Sequence, residues 1–160
     1  MARPLVSQPQ GNNKTYQVKY HGYYGFYDQT YGSGDYHIAF FYEDGTVFYP
    51  RIADEYYLSN KIDSLLSSPA FIEQSKQKRT NWGIYTLEGT QIKIEKWELK
   101  HRGPTKFKTY EYFGEIKSNG TIVFNRLLDN YWNQKVFEID REFTFREFRP
   151  KPDSTNRFIE

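Results

Sequence analysis

Apolar and polar residues alternate with a period of two along most of the chain, which is typical of β-strands. The clearest case is residues 36–50, where two runs of aromatic and β-branched side chains meet across Asp44 and Gly45. An Asp-Gly pair between two such runs strongly favours a tight hairpin. The pattern therefore predicts a β-hairpin here, and its first strand carries apolar groups on both faces.

Residues 16–27 alternate in the same way and predict a long first strand. Its more aromatic face carries Tyr24 and Phe26. Gly22 and Gly25 interrupt the run, and glycine inside a strand indicates a bend or the close approach of another backbone. We expect this strand to lie at the corner of a small barrel.

The second half of the chain repeats the hairpin pattern. Strands are predicted at residues 82–88, 92–99, 105–117, 121–127 and 135–148, with turns at residues 89–90 and 118–120. The apolar phase shifts between Ile94 and Trp97, which predicts a β-bulge.

Residues 60–77 differ from the rest because their apolar residues recur at helical spacing. Asn60 and Ser68 are good helix caps, and Pro69 suits the first position of a helix. We predict a kinked helix or a short helical pair that lies on the mouth or flank of the sheet. Its apolar stripe consists of Ile62, Leu65, Leu66, Phe71 and Ile72.

Short turns between neighbouring strands predict an all-β, antiparallel up-and-down meander of about eight strands with one helical insertion. Such a meander closes most simply into a barrel, because closure removes exposed edges; a β-sandwich is the alternative. The 160 residues suit one domain. We expect it to span residues 14–149, after a disordered lead-in at 1–13 and before a polar tail at 150–160.

Composition narrows the classes of function. Fifteen tyrosines and 13 phenylalanines supply most of the apolar surface, and the tyrosine hydroxyls favour a partly polar interior or a binding face. The net charge of +2 is spread along the chain, which argues against a nucleic-acid partner. The absence of cysteine excludes disulfides, thiolate metal sites and cysteine nucleophiles. No apolar run is long enough for a transmembrane segment, and residues 1–13 have no signal-peptide core.

Candidate catalytic chemistry is sparse. His21, His37 and His101 are too scattered to indicate a metal site. A row of carboxylates on the last strand reads as a solvent-exposed face, and no nucleophile elbow, phosphate-binding loop or metalloprotease motif occurs. We therefore expect no enzymatic activity, cofactor or metal; an unrecognised hydrolase remains a third hypothesis.

Arg141 falls in phase with Phe137, Ile139, Phe143 and Phe145. A guanidinium group on an apolar face needs a carboxylate, a carbonyl or an aromatic ring as its partner. Two roles are open: stacking on an aromatic residue such as Trp82 at the end of the barrel, or pointing inward to hold a ligand carboxylate.

The run FFYEDGTV at residues 40–47, followed by WGIYTLEGTQIKI at residues 82–94, resembles the lipocalin-like barrel proteins of Bacteroidota. In these proteins a strand ending in an F-x-x-D/N-G-T turn, a W-G-x-Y strand and an I-x-G-x-x-I hairpin recur in this order. The tail around residues 150–156 is similar to that of such small exported proteins, most of which have no established function. The resemblance implies an eight-stranded meander, export to the periplasm or cell surface, and an apolar ligand in the barrel.

The leading hypothesis is a non-enzymatic binding module for a small apolar or amphipathic ligand. We expect its walls to be Tyr24, Phe26, Phe40 and Tyr42, its lid to be Leu65, Leu66 and Phe71, and its candidate anion anchor to be Arg141. The alternative is a protein-interaction module of the bacterial cell envelope, with a filled barrel that binds a protein partner.

Overall fold

The computed structural model describes residue 5 and residues 17–29, 34–100, 106–131 and 134–160. The strands in these ranges are β1 (Gly22–Asp28), β2 (Asp35–Phe41), β3 (Thr46–Phe48), β4 (Arg51–Ala53), β5 (Trp82–Glu88), β6 (Gln91–Leu99), β7 (Phe107–Ile116), β8 (Ile122–Asp129) and β9 (Lys135–Glu147). The helices are α1 (Asp54–Leu58), α2 (Ile62–Leu66) and α3 (Pro69–Lys76), and a 3-10 turn follows at Arg79–Asn81.

The strands form a closed antiparallel barrel. β1 pairs with β2 on one side and with β9 on the other, while the remaining strands follow in the order β9-β8-β7-β6-β5-β3-β2. Eight strands therefore complete the ring, and β4 is an extra strand that pairs with the beginning of β2. The predicted eight-stranded barrel is confirmed.

The turn chemistry read from the sequence explains the central hairpin. Gly45 has a φ of 88°, a conformation that side chains disfavour. The Asp44 carboxylate accepts hydrogen bonds from the backbone N–H of Thr46 at 2.9 Å and from its hydroxyl at 2.6 Å. The same arrangement recurs at Asn119 and Gly120, so both predicted hairpins form around side-chain-supported turns.

The first strand is shorter than predicted. β1 begins at Gly22, and residue 16 lies outside the described residues. Val18 is buried against the interior of the barrel instead of extending the strand. The Tyr20 hydroxyl lies 3.0 Å from that of Tyr85, so the segment before β1 packs against the inner core.

The predicted bulge in β6 is wrong. Its register with β5 and β7 is continuous through residues 91–99. The register shifts occur instead between Phe113 and Gly114 in β7 and between Phe124 and Arg126 in β8. The apparent phase shift in β6 arises because Trp97 points outward while charged residues occupy the inward positions beside it.

The helical region begins earlier than expected. α2 and α3 fall within the predicted residues 60–77, and the Ser68 hydroxyl caps α3 by accepting from Phe71 N–H at 3.4 Å, directly before Pro69. The prediction that Asn60 caps a helix is wrong, because Asn60 has a φ of 57° and lies between α1 and α2. α1 was not predicted.

The buried apolar residues form two clusters. The interior cluster lies inside the barrel and includes Tyr24, Ala39, Phe41, Val47, Tyr85, Ile94, Tyr112, Phe124 and Phe143. The outer cluster lies between the barrel wall and its cover and includes Tyr23, Ile38, Phe40, Phe48, Ile62, Leu66, Ile72, Trp82 and Trp97. β2 contributes to both clusters, as its two apolar faces require.

The tail at residues 150–160 packs along the barrel instead of leaving it. Tyr42 donates its hydroxyl hydrogen to the carbonyl of Pro152 at 2.7 Å. Asp153 forms an ion pair of 2.5 Å with Lys76 of α3. Phe158 packs against the outer cluster, so the tail joins the helices in covering this side of the barrel.

Gly22 lies where β1 and β9 close the barrel, so a substitution at this position tests the contact between the two strands. A Cβ atom there would lie 1.9 Å from the carbonyl oxygen of Arg146 on β9, so we expect Gly22→Ala to cost more than about 2 kcal/mol of unfolding free energy. At Gly89, where φ is 61° and nothing lies within 4 Å, we expect Gly89→Ala to cost about 1 kcal/mol. Urea unfolding followed by circular dichroism measures both. An equal cost at the two positions would contradict the close contact between β1 and β9.

Candidate functional site

The four residues expected to form one ligand-binding wall lie on opposite sides of the barrel sheet. Tyr24 pairs with Ala39 across β1 and β2, and side chains that pair directly point to the same face. Tyr24 and Phe26 therefore face the interior, while Phe40 and Tyr42 belong to the outer cluster. The prediction of a shared wall is wrong because alternation within each strand does not fix the phase between two strands.

The described interior is packed with aromatic rings. The Tyr24 and Phe41 ring centroids lie 5.5 Å apart, and those of Phe41 and Tyr85 lie 5.0 Å apart, both with edge-to-face geometry. The tyrosine hydroxyls are satisfied: Tyr85 donates to the Tyr42 carbonyl at 2.6 Å, and Tyr24 accepts from Lys19 N–H at 2.8 Å. These residues therefore act as a core.

The residues expected to form a lid cover the flank of the barrel. Leu66 is buried in the outer cluster, and Leu65 and Phe71 pack against it. The same cluster contains Phe40 and Trp82 from the barrel wall. α2 and α3 thus cover the outside of the β2, β3 and β5 region.

Arg141 faces the interior near one end of the barrel. It pairs across the strands with Phe124, an interior residue. Its guanidinium carbon lies 5.8 Å from the ring centroid of Tyr112, and its Nη2 lies 4.0 Å from Asp28 Oδ2. The aromatic neighbour of Arg141 is Tyr112, not Trp82, and its guanidinium group faces the interior.

A charged group inside the barrel was missed by the sequence analysis. Lys96 is 2% exposed, and its Nζ donates to Glu98 Oε1 at 2.8 Å. The same oxygen lies 3.7 Å from Arg51 Nη2. The signal was present in the sequence, since residues 96 and 98 continue the inward phase of Ile92 and Ile94.

His37 also belongs to this charged end. Its Nδ1 lies 2.9 Å from the Tyr49 hydroxyl, and its Nε2 lies 3.8 Å from Asp28. Burial, followed by the positive charges of Arg141 and Arg51, lowers the pKa of His37 to about 3. The imidazole is therefore neutral at physiological pH.

The described residues do not bring metal ligands together. No group of three or more His, Asp or Glu side chains in the described ranges could hold a metal ion. His21 lies at the exposed start of β1, while His37 is buried in the interior. His101 lies outside the described residues.

A cleft of about 660 Å³ opens on the outer side of the barrel. It lies between α3, the 3-10 turn, the adjoining ends of β6 and β7, and the tail. Five of its lining residues are cationic, three are phenylalanines, and none of the described lining residues is acidic. The charged and aromatic members are Arg51, Lys78, Arg79, Lys106, Arg157, Phe71, Phe107 and Phe158.

Arg79 is a cation of this cleft that contacts three aromatic rings. Its guanidinium carbon lies 5.5 Å from the ring centroid of Trp97, 4.9 Å from Phe107 and 5.4 Å from Phe158. Within the described ranges, no carboxylate forms an ion pair with it. Three rings therefore hold Arg79 by cation–π contact, and no described carboxylate neutralises its charge.

Trp97, which contacts Arg79 but does not line the cleft, contains a buried donor without a hydrogen-bond partner. Trp97 is 2% exposed, and its indole Nε1 is the one buried side-chain nitrogen or oxygen of the described residues that lacks a hydrogen-bond partner. By contrast, Trp82 donates its Nε1–H to the Lys76 carbonyl at 3.0 Å. A buried donor without an acceptor lowers the stability of the fold by about 1–3 kcal/mol. Unpaired donors are therefore rare in packed regions.

The cover of the barrel determines the shape of this cleft. Asn81 joins the 3-10 turn to α3 through a hydrogen bond of 2.9 Å from its Nδ2 to the Ser75 carbonyl. The ion pair between Lys76 and Asp153 fixes the tail beside the same helix. These contacts place Arg157 and Phe158 opposite Phe107, although the residues are distant in sequence.

Comparison with known proteins adds no further constraint. No family model, curated protein or solved structure matches the chain. Within the described residues, no helix has the length and apolar character needed to cross a membrane.

The buried neutral His37 predicts a specific acid sensitivity. Below pH 6.5 the unfolded chain binds a proton at this position, whereas the folded chain binds it only near pH 3. The unfolding free energy should therefore fall with decreasing pH, and His37 should contribute about 1.4 kcal/mol per pH unit between pH 6 and pH 4.

Urea unfolding at pH 4, 5, 6 and 7 tests this contribution. We expect the His37→Gln variant to lose this part of the slope, because glutamine can bond to Tyr49 but does not titrate. The carboxylates titrate in both proteins and cancel in the comparison. If the unfolding free energies of the unsubstituted protein and the His37→Gln variant change with pH in parallel, the buried His37 is not neutral in the folded state.

Proposed function

We propose that the protein is a non-enzymatic, lipocalin-like binding module for a small amphipathic ligand, and that the outer cleft is its binding site. The observation that supports this proposal is the combination of three phenylalanines and five cations around a cavity of about 660 Å³. Sites for small molecules typically measure 300–1,000 Å³ and combine apolar walls with a few polar groups.

The two kinds of lining residue have separate roles in this proposal. Phe71, Phe107 and Phe158 would cover the apolar part of the ligand, and each buried aromatic contact adds to the affinity through the hydrophobic effect. The cations would select a ligand with negative charge. Of these, Arg51 already has a partner in Glu98, whereas the partners of Arg79 among the described residues are aromatic rings.

The position of the proposed site differs from the one expected from the sequence. Phe71, expected as part of a lid, lines the cleft directly. Tyr24 and Phe26 would instead support the fold from the interior. Arg141 faces the charged end of the barrel interior, which is the alternative position for an anionic ligand group.

The proposal predicts that the protein binds an amphipathic anion and that Phe107 contributes to binding. Native mass spectrometry of freshly purified protein, with organic extraction, would reveal a ligand that is already bound. Isothermal titration with dodecanoate then measures affinity. We expect Phe107→Ala to weaken binding about tenfold, since the loss of a ring contact costs about 1–3 kcal/mol.

Phe113→Ala is the matched control, because Phe113 lies on the same strand and is also half-buried but does not line the cleft. It should leave the affinity unchanged. If Arg141→Gln weakens binding and Phe107→Ala does not, the ligand binds in the barrel interior and not in the cleft. A clean apo mass together with no dodecanoate binding would contradict the proposal and favour the alternative of a protein-interaction module.

A further inference from the structure

We infer that the ligand of the cleft carries a carboxylate and that Arg79 is the residue that binds it. This inference rests on the proposed function, since it names the chemical class of ligand for the same site. The inferred role belongs to the Arg79 guanidinium group alone, whereas the proposed function belongs to the cleft as a whole.

The environment of the Arg79 guanidinium group favours a carboxylate ligand. The rings of Trp97, Phe107 and Phe158 surround it at 4.9–5.5 Å and restrict its orientation. Aromatic rings cannot accept strong in-plane hydrogen bonds from its N–H groups. The planar fork of an arginine matches a carboxylate with two parallel hydrogen bonds, so a fixed guanidinium group favours this anion.

The positive charge around the cleft also favours an anionic ligand. Lys78, Lys106 and Arg157 line it together with Arg79, and none of these four has a described ion-pair partner. Their mutual repulsion is reduced when an anion occupies the space between them. A neutral ligand of the same shape would leave this repulsion in place.

Paired ligands of equal shape test the inference. We would measure the affinity of naphthalene-2-carboxylate and of naphthalene-2-carboxamide by isothermal titration at pH 7. The two molecules differ in charge and in one donor group only. We expect the carboxylate to bind at least tenfold more tightly, and we expect this preference to decrease as salt is added.

Variants of Arg79 assign the preference to this residue. Arg79→Gln should remove most of the tenfold difference, and Arg79→Lys should restore only part of it, because an ammonium group cannot form the bidentate pair. Arg126→Gln is the matched control, since Arg126 lies 4.2 Å from the ring centroid of Phe113 on the exposed barrel surface. It should change neither affinity. Circular dichroism of each variant verifies that the fold is retained.

The outcomes separate the two proposals. Equal affinity for acid and amide, or a preference that persists in a folded Arg79→Gln variant, would overturn the role of Arg79 and leave the binding function intact. No binding of either naphthalene, combined with no dodecanoate binding, would overturn the binding function itself.

Discussion

A strand that is apolar on both faces must be covered on both faces, and β2 imposes this requirement on the whole molecule. All its residues from Tyr36 to Phe41 are buried. One face is covered by closing the sheet into a barrel, which gives the interior cluster. The other face needs separate elements, and α2, α3 and the tail supply them. The outer cleft exists because this cover ends beside β6 and β7.

The barrel interior is divided along its axis into an aromatic part and a charged part. In the aromatic part, tyrosine hydroxyls bond to backbone groups, so large polar rings are buried without loss of hydrogen bonds. In the charged part, Glu98 lies between Lys96 and Arg51, and burial keeps His37 neutral. These aromatic and charged contacts stabilise the fold from inside the barrel.

The cations of the cleft come from segments that pack against the outside of the barrel wall. Arg51 comes from β4, Arg79 from the turn after α3, and Arg157 from the tail. Arg51 and Arg157 lie outside any basic run, and Arg79 ends the short basic segment at residues 76–79, so the sequence does not show that the three charges meet. The ion pair between Lys76 and Asp153 is central here, because it fixes the tail against α3 and so brings separate positive charges to one cavity.

Most strands, the two side-chain-supported hairpins and the Ser68 cap could be predicted from the sequence, because alternation, turn residues and capping are local properties of the chain. The inward phase of Lys96 was also present there and was misread as a bulge. Closure into a barrel, in place of a sandwich, depends on the pairing of β1 with β9, which are far apart in sequence. The pairing register of β1 and β2 sets the relative phase of these strands and so puts Tyr24 and Phe40 on opposite faces. The cleft around Arg79 likewise depends on contacts between distant segments, which no local pattern encodes.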